Sequence, residues 1–229
     1  MRIPIYVEFS GKRVAVIGGG GVGTSRAKKF VEAGAEVTVF SLEFSEELRK
    51  MADDGKVNLV KIDASQIDYD SVLSDYHLVV VAIDDRSLNP KIVEAAKRNK
   101  TLVNLANDAA STEVVVPFEG EVNGIRFAVT TEGKSGVVAK RVKEVFEEVL
   151  RERKDLACFL EVMEFVKNYM KESGVPVGVR MKVYPGLARN EEFISLVSNC
   201  RTEEAKKFAL KFVEEVASGK RKVEGVIEF

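Results

Sequence analysis

The sequence predicts an α/β protein built on a doubly wound, mostly parallel sheet. Three observations predict it. Short apolar runs such as 14–17 and 78–82 lack polar alternation, as strands covered on both faces do. Helical periodicity separates those runs. The first run ends in four successive glycines, Gly18 to Gly21. A chain of 229 residues that is 45% hydrophobic and 31% charged can bury roughly 70% of its unfolded surface without a metal or disulfide staple. A net charge of -1 gives no support to a nucleic-acid binder, which would show a basic excess. No apolar run reaches the roughly 18 residues of a membrane span or has the form of a leader, so a cytoplasmic protein is expected.

The elements follow in order. Val14–Ile17 is a strand, and Thr24–Ala33 places Ala27, Phe30 and Val31 on one helical face before Gly34 stops it. Glu36–Phe40 is a second strand. The sequence strand, glycine turn, helix, strand fills one βαβ unit. The alternation continues with a weak helix over Phe44–Met51, a strand over Val57–Ile62 and a wholly apolar strand over Leu78–Ala82. Asn89-Pro90 opens a helix with proline in its first turn, running to Lys97, and Leu102–Ala106 is the next buried strand. The reading is Rossmann-like over residues 1–112.

After Asp108 the pattern changes. Val114–Val116 leads through Val122 to Asn123-Gly124, a pair suited to a two-residue type I′ hairpin turn. Beyond it Ile125, Phe127 and Val129 alternate with Arg126, Ala128 and Thr130, a half-buried strand. From Val137 to Met170 the period is helical, too long for one globular helix, and a break is expected near Arg153–Asp155. Gly174–Gly186 reads as a glycine- and proline-rich loop. Thr202 is placed to cap a last helix through Val216, and the tail from Ser218 is expected to fray. These segments form a hairpin and helix region, 113–150, and a C-terminal helical domain, 151–229. Cys158 and Cys200 fit neither a metal knuckle nor a CxxC pair and are expected to be buried free thiols rather than a disulfide.

The glycine run contains GxGxxG as Gly18, Gly20 and Gly23. Gly18 permits a tight turn, Gly20 lets backbone approach a pyrophosphate, and Gly23 allows close packing of helix on strand. The following helix offers its free N–H groups, through Gly21 and Val22, to the anion. A lone GxGxxG is a weak signal; here it follows a predicted strand and opens a predicted helix, which strengthens it. The second strand runs out through Ser41, Leu42 and Glu43, with Ser41 where a ribose-binding acid is usual and Glu43 just beyond. No Lys or Arg follows to grip a 2′-phosphate. NAD is therefore expected ahead of NADP.

Residues 3–150 resemble the siroheme synthase N-terminal family. The resemblance rests on Ile3-Pro4-Ile5-Tyr6, Gly11-Lys12-Arg13-Val14, the glycine loop, Glu32-Ala33-Gly34-Ala35, and Val37-Thr38-Val39. It continues through Val80-Val81-Ala82-Ile83-Asp84-Asp85 with Leu88-Asn89, then Val103-Asn104, Pro117 and Gly133-Lys134-Ser135, in family order and spacing. It implies NAD-dependent oxidation of precorrin-2, a polycarboxylate tetrapyrrole, to sirohydrochlorin in siroheme biosynthesis. It also implies a homodimer whose subunit contact lies in the 113–150 region. Some relatives insert ferrous iron as well, so a bifunctional dehydrogenase and ferrochelatase is one alternative. A non-catalytic NAD(H)-sensing domain, using the same loop, is another.

Oxidising such a macrocycle removes a hydride and a proton, so the site must present the carbon to a nicotinamide and give the proton a destination. The loop after Leu102–Ala106 lies at the carboxyl end of the sheet, where open α/β sheets bind ligands. Ungapped counting places Asn107 where related enzymes carry an aspartate. An amide is no base, so the neighbouring Asp108 is the candidate base, against a reaction that relies on positioning alone. Asp84, with Asp85 after it, ends another strand on the same rim and is assigned to the nicotinamide end; helix capping is the competing role. Arg126, Lys134, Lys140 and Arg141 are candidate cations for substrate carboxylates. Thr131, Gly133 and Ser135 offer hydroxyl and backbone donors. Glu132 departs from the family's glycine there and adds an unhelpful charge. His77, the only histidine, is assigned a structural role, and no cluster suggests a resident metal.

Overall fold

In the computed structural model residues 2–223 are described. The chain forms two compact units. One holds the chain up to Pro117 together with Thr130–Gly136; the other holds Phe118–Val129 and the chain from Val137 onward.

The first unit is a five-stranded parallel sheet of β1 (Arg13–Ile17), β2 (Glu36–Ser41), β3 (Val57–Lys61), β4 (Leu78–Val81) and β5 (Leu102–Leu105), in the order β3-β2-β1-β4-β5. Its helices are α1 (Gly21–Glu32), α2 (Glu46–Asp53), the short α3 (Tyr69–Leu73) and α4 (Asn89–Asn99). Successive strand side chains point to opposite faces. Val14, Val16, Val37, Val39 and Val80 therefore pack with Ala27, Phe30 and Leu48 of α1 and α2. Ala15, Ile17, Val79, Val81 and Val103 pack with Leu73, Ile92 and Ala96 of α3 and α4. This two-sided burial is why β1 and β4 read as unbroken apolar runs. The strand order reverses between β1 and β4, and that reversal makes a crevice at their carboxyl ends.

The 112–114 stretch does not form a further strand. It lies along the free edge of β5: Val114 N–H donates to Val103 O (2.8 Å), Thr112 Oγ1 accepts from Leu105 N (2.7 Å), and Glu113 Oε2 accepts from Val103 N (3.1 Å). The edge is thereby covered.

The second unit holds the hairpin β6 (Phe118–Val122) and β7 (Ile125–Val129), then α5 (Gly136–Glu152), α6 (Lys154–Glu172), α7 (Val177–Ala188), α8 (Glu191–Ser198) and α9 (Thr202–Ala217). Asn123 and Gly124 both have positive φ, +53° and +78°, as a type I′ turn requires. The helix break falls at Arg153 as expected. Val162, Val166, Val183, Leu187, Phe193 and Phe212 lie in the core formed by α6 to α9.

Three expectations are corrected here. The loop assigned to Gly174–Gly186 is mostly α7, with Pro185 inside it. Proline and glycine argue against a helix locally, but Val183, Pro185 and Leu187 are buried, and tertiary packing outweighs propensity. Thr202 is the first helical residue of α9 rather than its cap, and no side chain caps that helix. Cys158 and Cys200 form a disulfide, with Cα atoms 5.4 Å apart. Neither is buried: Cys158 lies in the first turns of α6, and Cys200 sits exposed, at φ +51°, in the turn between α8 and α9. Forty-two residues separate them, a pairing visible only once α6 and α8 pack together. The tail expected to fray from Ser218 falls, at 224–229, outside the described residues.

Candidate active site

The glycine loop fills the crevice between β1 and β4. Gly18 N–H donates to Phe40 O (2.9 Å), and Gly18 adopts φ +113°, where a Cβ would overlap the Ala82 carbonyl oxygen. A Cβ on Gly23 would overlap the Gly18 carbonyl oxygen. These two glycines are demanded by the protein's own packing. Gly20 is different. Its φ of -78° suits any residue, and nothing lies within 4 Å of the place where a Cβ would stand. The fold leaves an open cradle there, beside the amino end of α1.

That end is prepared for an anion. No side chain caps α1, and its first turn carries no acid. Thr24 N–H is the first to join the helical ladder, donating to Gly20 O (2.9 Å), so the N–H groups of Gly21, Val22 and Gly23 precede it without helical acceptors. Val22 is 55% exposed beside them. The cradle and these donors fit the diphosphate of a dinucleotide. Sequence reasoning missed Thr24 and Ser45, which stiffen the loop: Thr24 Oγ1 bonds Gly20 O (2.8 Å) and Ser45 Oγ (2.8 Å), and Ser45 N–H donates to Gly19 O (3.1 Å). Ser45 also caps α2, the ordinary signal of a serine ahead of an apolar helix.

Ser41 ends β2, and Leu42 and the exposed Glu43 follow. A Cβ on Gly19 would overlap the Glu43 carbonyl oxygen and lie 3.1 Å from Ser41 Cβ, so this segment adjoins the glycine loop. Asp84 is exposed after β4. Its neighbour Asp85 takes the capping role, accepting from Ser87 N–H (2.9 Å).

The loop after β5 is tied to the loop after β4. Asn107 Nδ2 donates to Ile83 O (2.8 Å), and Asn107 Oδ1 accepts from Asn89 Nδ2 (3.0 Å). Asn89 is 7% exposed. Asn107 is therefore a cross-link between the loops, and its donation to a carbonyl is one that a carboxylate could not make. Asp108 accepts from Ala110 N–H (3.1 Å) and Ser111 N–H (3.2 Å). Hydrogen bonding to Ser111, with lesser help from Ala110 and the charge of Arg86, holds its carboxyl below the usual aspartate range.

The 131–135 loop closes on that turn. Thr131 Oγ1 accepts from Ser135 N–H (2.9 Å) and donates to Ser135 O (3.0 Å). Gly133 has φ +86°, and a Cβ there would overlap that of Ala109. Glu132 takes φ +50°, in the left-handed region that favours glycine. Its charge is answered by Arg2, a residue the sequence did not single out. Arg2 Nη1 lies 3.6 Å from Glu132 Oε2 while Nη2 donates to Ala109 O (3.1 Å) and Thr112 O (2.7 Å). Thr131, Gly133, Lys134 and Ser135 are thus brought to the Asp108 turn. Arg126 lies in the hairpin of the second unit, donating twice to Glu121 across the strands. Lys140 and Arg141 lie on α5 of that unit.

A groove of about 400 Å³ among Lys12, Arg13, His77 and Lys100 lies at the opposite, amino ends of β1, β4 and β5. His77 Nδ1 accepts from Arg13 N–H there (3.2 Å), a structural task. Among the described residues no group of three or more His, Cys, Asp or Glu is placed to hold a metal ion, and no helix is long and apolar enough to cross a membrane.

Comparison with known proteins agrees with the geometry. Residues 5–118 match a family described as "Putative NAD(P)-binding". A "Putative precorrin-2 dehydrogenase" of Methanocaldococcus jannaschii is 31% identical over 195 residues, 83% of this chain and 92% of that one. A "Precorrin-2 dehydrogenase" of Methanosarcina barkeri is 30% identical, covering 74% and 75%. A "Siroheme synthase" of Actinobacillus pleuropneumoniae is 24% identical over 89% of this chain but only 40% of its own length. The solved structure of "SirC, precorrin-2 dehydrogenase" shares the fold, with a TM-score of 0.58 at 19% identity over 95% of this chain and all of the other.

Proposed function

We propose that this chain, which belongs to the precorrin-2 dehydrogenase family, oxidises precorrin-2 to sirohydrochlorin with NAD as its oxidant. The observation that carries the reading is Gly20: an open cradle that the fold does not require, at the strand-order reversal and against uncapped helical N–H groups. When bound, NAD supplies the hydride acceptor. Gly18 and Gly23 shape the loop, Gly20 leaves room for the diphosphate, and the N–H groups of Gly21 and Val22 hold it. Ser41, Leu42 and Glu43 hold the adenosine ribose, with Glu43 accepting from its hydroxyls. Asp84 stands at the nicotinamide end.

Thr131, Gly133, Lys134 and Ser135 hold substrate carboxylates beside the Asp108 turn. Arg2 pairs with Glu132 there and offsets part of its repulsion. Asp108 is ionised at neutral pH and takes the proton that leaves with the hydride. Its lowered pKa makes it a weak base, so positioning supplies most of the rate. Iron insertion is not assigned, because the amide of Asn107 occupies the place of the relatives' aspartate and is committed to Ile83 and Asn89.

The protein is further read as a cytoplasmic homodimer. On α5 Val138, Val142, Val145 and Val149 recur at alternating spacings of four and three, and Val138, Val145, Phe146 and Val149 are 37–52% exposed. Such a seam suits a second copy of the same helix. Light scattering with wild type and Val145→Glu tests this: the dimer should become a monomer in the variant, and a monomeric wild type refutes it. The test of the activity is anaerobic turnover of precorrin-2 with NAD and with NADP, followed by the absorbance of sirohydrochlorin. NAD-dependent product formation is expected; failure with both dinucleotides refutes the reading.

A further inference from the structure

Helix α1 carries three cations behind the glycine loop, and two have protein partners. Lys28 Nζ donates to Glu47 Oε1 (3.1 Å), and Lys29 Nζ donates to Pro117 O (2.8 Å). The third, Arg26, is partly buried, yet among the described residues it has no partner. Its Nε is buried without a hydrogen bond, and no acid forms an ion pair with its guanidinium. Burial alone acts on its pKa, downward, with no neighbouring carboxylate to offset it. A desolvated cation left unpaired costs stability, and the fold gains nothing visible from it.

Helical geometry says which way Arg26 faces. Thr24 and Lys28 reach Ser45 and Glu47, on the α2 side. Each is two residues from Arg26, about 200° around the helix, so Arg26 lies on the opposite flank. It shares that flank with Lys29, three residues on, which reaches Pro117 beyond the β5 edge, and with the exposed Val22, four residues back. Long side chains on a helix lean toward its amino end. The guanidinium is therefore directed past Val22 to the rim of the glycine loop, on the flank away from α2 and its capping Ser45.

We infer that Arg26 is a substrate-binding residue whose guanidinium takes a carboxylate of the tetrapyrrole, rather than a phosphate of the dinucleotide. The inference rests on the precorrin-2 reading and adds to Lys134 a second cation of the first unit that no carboxylate holds, whereas Arg2 is paired with Glu132. The carboxylate would accept a paired, charge-assisted donation from the planar guanidinium, geometry that lysine cannot reproduce.

The test uses the full chain as wild type, Arg26→Met and Arg26→Lys. Sirohydrochlorin binding is followed by its absorbance, NAD binding by calorimetry, and the melting temperature is recorded without ligands. Arg26→Met should weaken sirohydrochlorin binding about 10- to 100-fold, leave NAD affinity within about twofold, and melt no lower than wild type, since it removes a partly buried cation whose Nε has no partner. Arg26→Lys should recover part of the lost affinity. Unchanged sirohydrochlorin binding in Arg26→Met overturns the assignment, as does a loss confined to NAD. A lower melting temperature with parallel loss of both ligands also overturns it, by marking Arg26 as structural. A wild type that binds NAD but no tetrapyrrole overturns the functional reading and this assignment together.

Discussion

Two glycines three residues apart should respond to substitution in opposite ways. Gly20→Ser places its Cβ in open space at an ordinary φ. Serine is at least as good a helix cap as glycine, so the free protein should be unchanged or stabilised by a few tenths of a kcal/mol. The side chain nevertheless occupies the cradle where a diphosphate must approach. Losing one charge-assisted hydrogen bond, about 1.5–3 kcal/mol, lowers NAD affinity roughly 10- to 100-fold. Gly23→Ala does the reverse. Its Cβ meets the Gly18 carbonyl oxygen, a backbone atom that cannot swing aside. Overpacking of about 3 kcal/mol, less the roughly 1 kcal/mol that alanine gains in a helix, leaves about 2 kcal/mol of destabilisation and a melting temperature lower by roughly 4–8 °C. Calorimetry with NAD and thermal unfolding without it measure both effects. A Gly20→Ser protein that binds NAD within twofold of wild type would refute the reasoning, because the glycine would then answer no ligand.

Three further outcomes are expected. Asp108→Ala should bind NAD normally and lose about 10- to 100-fold in kcat, the low end of general-base effects; full turnover would remove the base assignment. Reducing the Cys158–Cys200 bridge, or Cys158→Ser, releases a 42-residue loop, worth about 4 kcal/mol on the chain-entropy account, and should lower the melting temperature by roughly 8–15 °C. A shift under about 2 °C would show that the bridge contributes little. The carboxyls of Asp63, Asp70, Asp108 and Asp155 all lie below the ordinary 3.8 because each is hydrogen-bonded in the fold. Their stabilisation is complete above the unfolded value and is lost as pH falls through the folded ones. Melting temperature should therefore hold from neutrality to about pH 5 and drop below about pH 4; a loss complete by pH 6 would point to other groups.

The sheet was legible because β1 and β4 are buried on both faces, and two-sided burial writes itself into sequence as unbroken apolar residues. The hairpin was legible because Asn123 and Gly124 supply the positive φ its turn needs. Helix α7 was not, since its proline and glycine are outvoted by contacts with elements far along the chain. The same limit hid the disulfide, the Asn89–Asn107 cross-link and the Arg2–Glu132 pair. Each joins residues whose proximity depends on the finished fold, and Asn89 and Glu132 carried no local signal of their partners. Gly20 was legible as part of a pattern. That it differs in kind from Gly18 and Gly23 needed the space around it.

The backbone passes from one unit to the other three times, after Pro117, Val129 and Gly136. No single proteolytic cut can therefore release either half intact. A fragment ending at Pro117 would keep all five parallel strands but lose the seven residues that carry Gly133 onto Ala109 and Glu132 onto Arg2. Shuffling the nucleotide-binding half into another enzyme would have to transplant that short returning segment as well, so the boundary a recombination event could use is discontinuous.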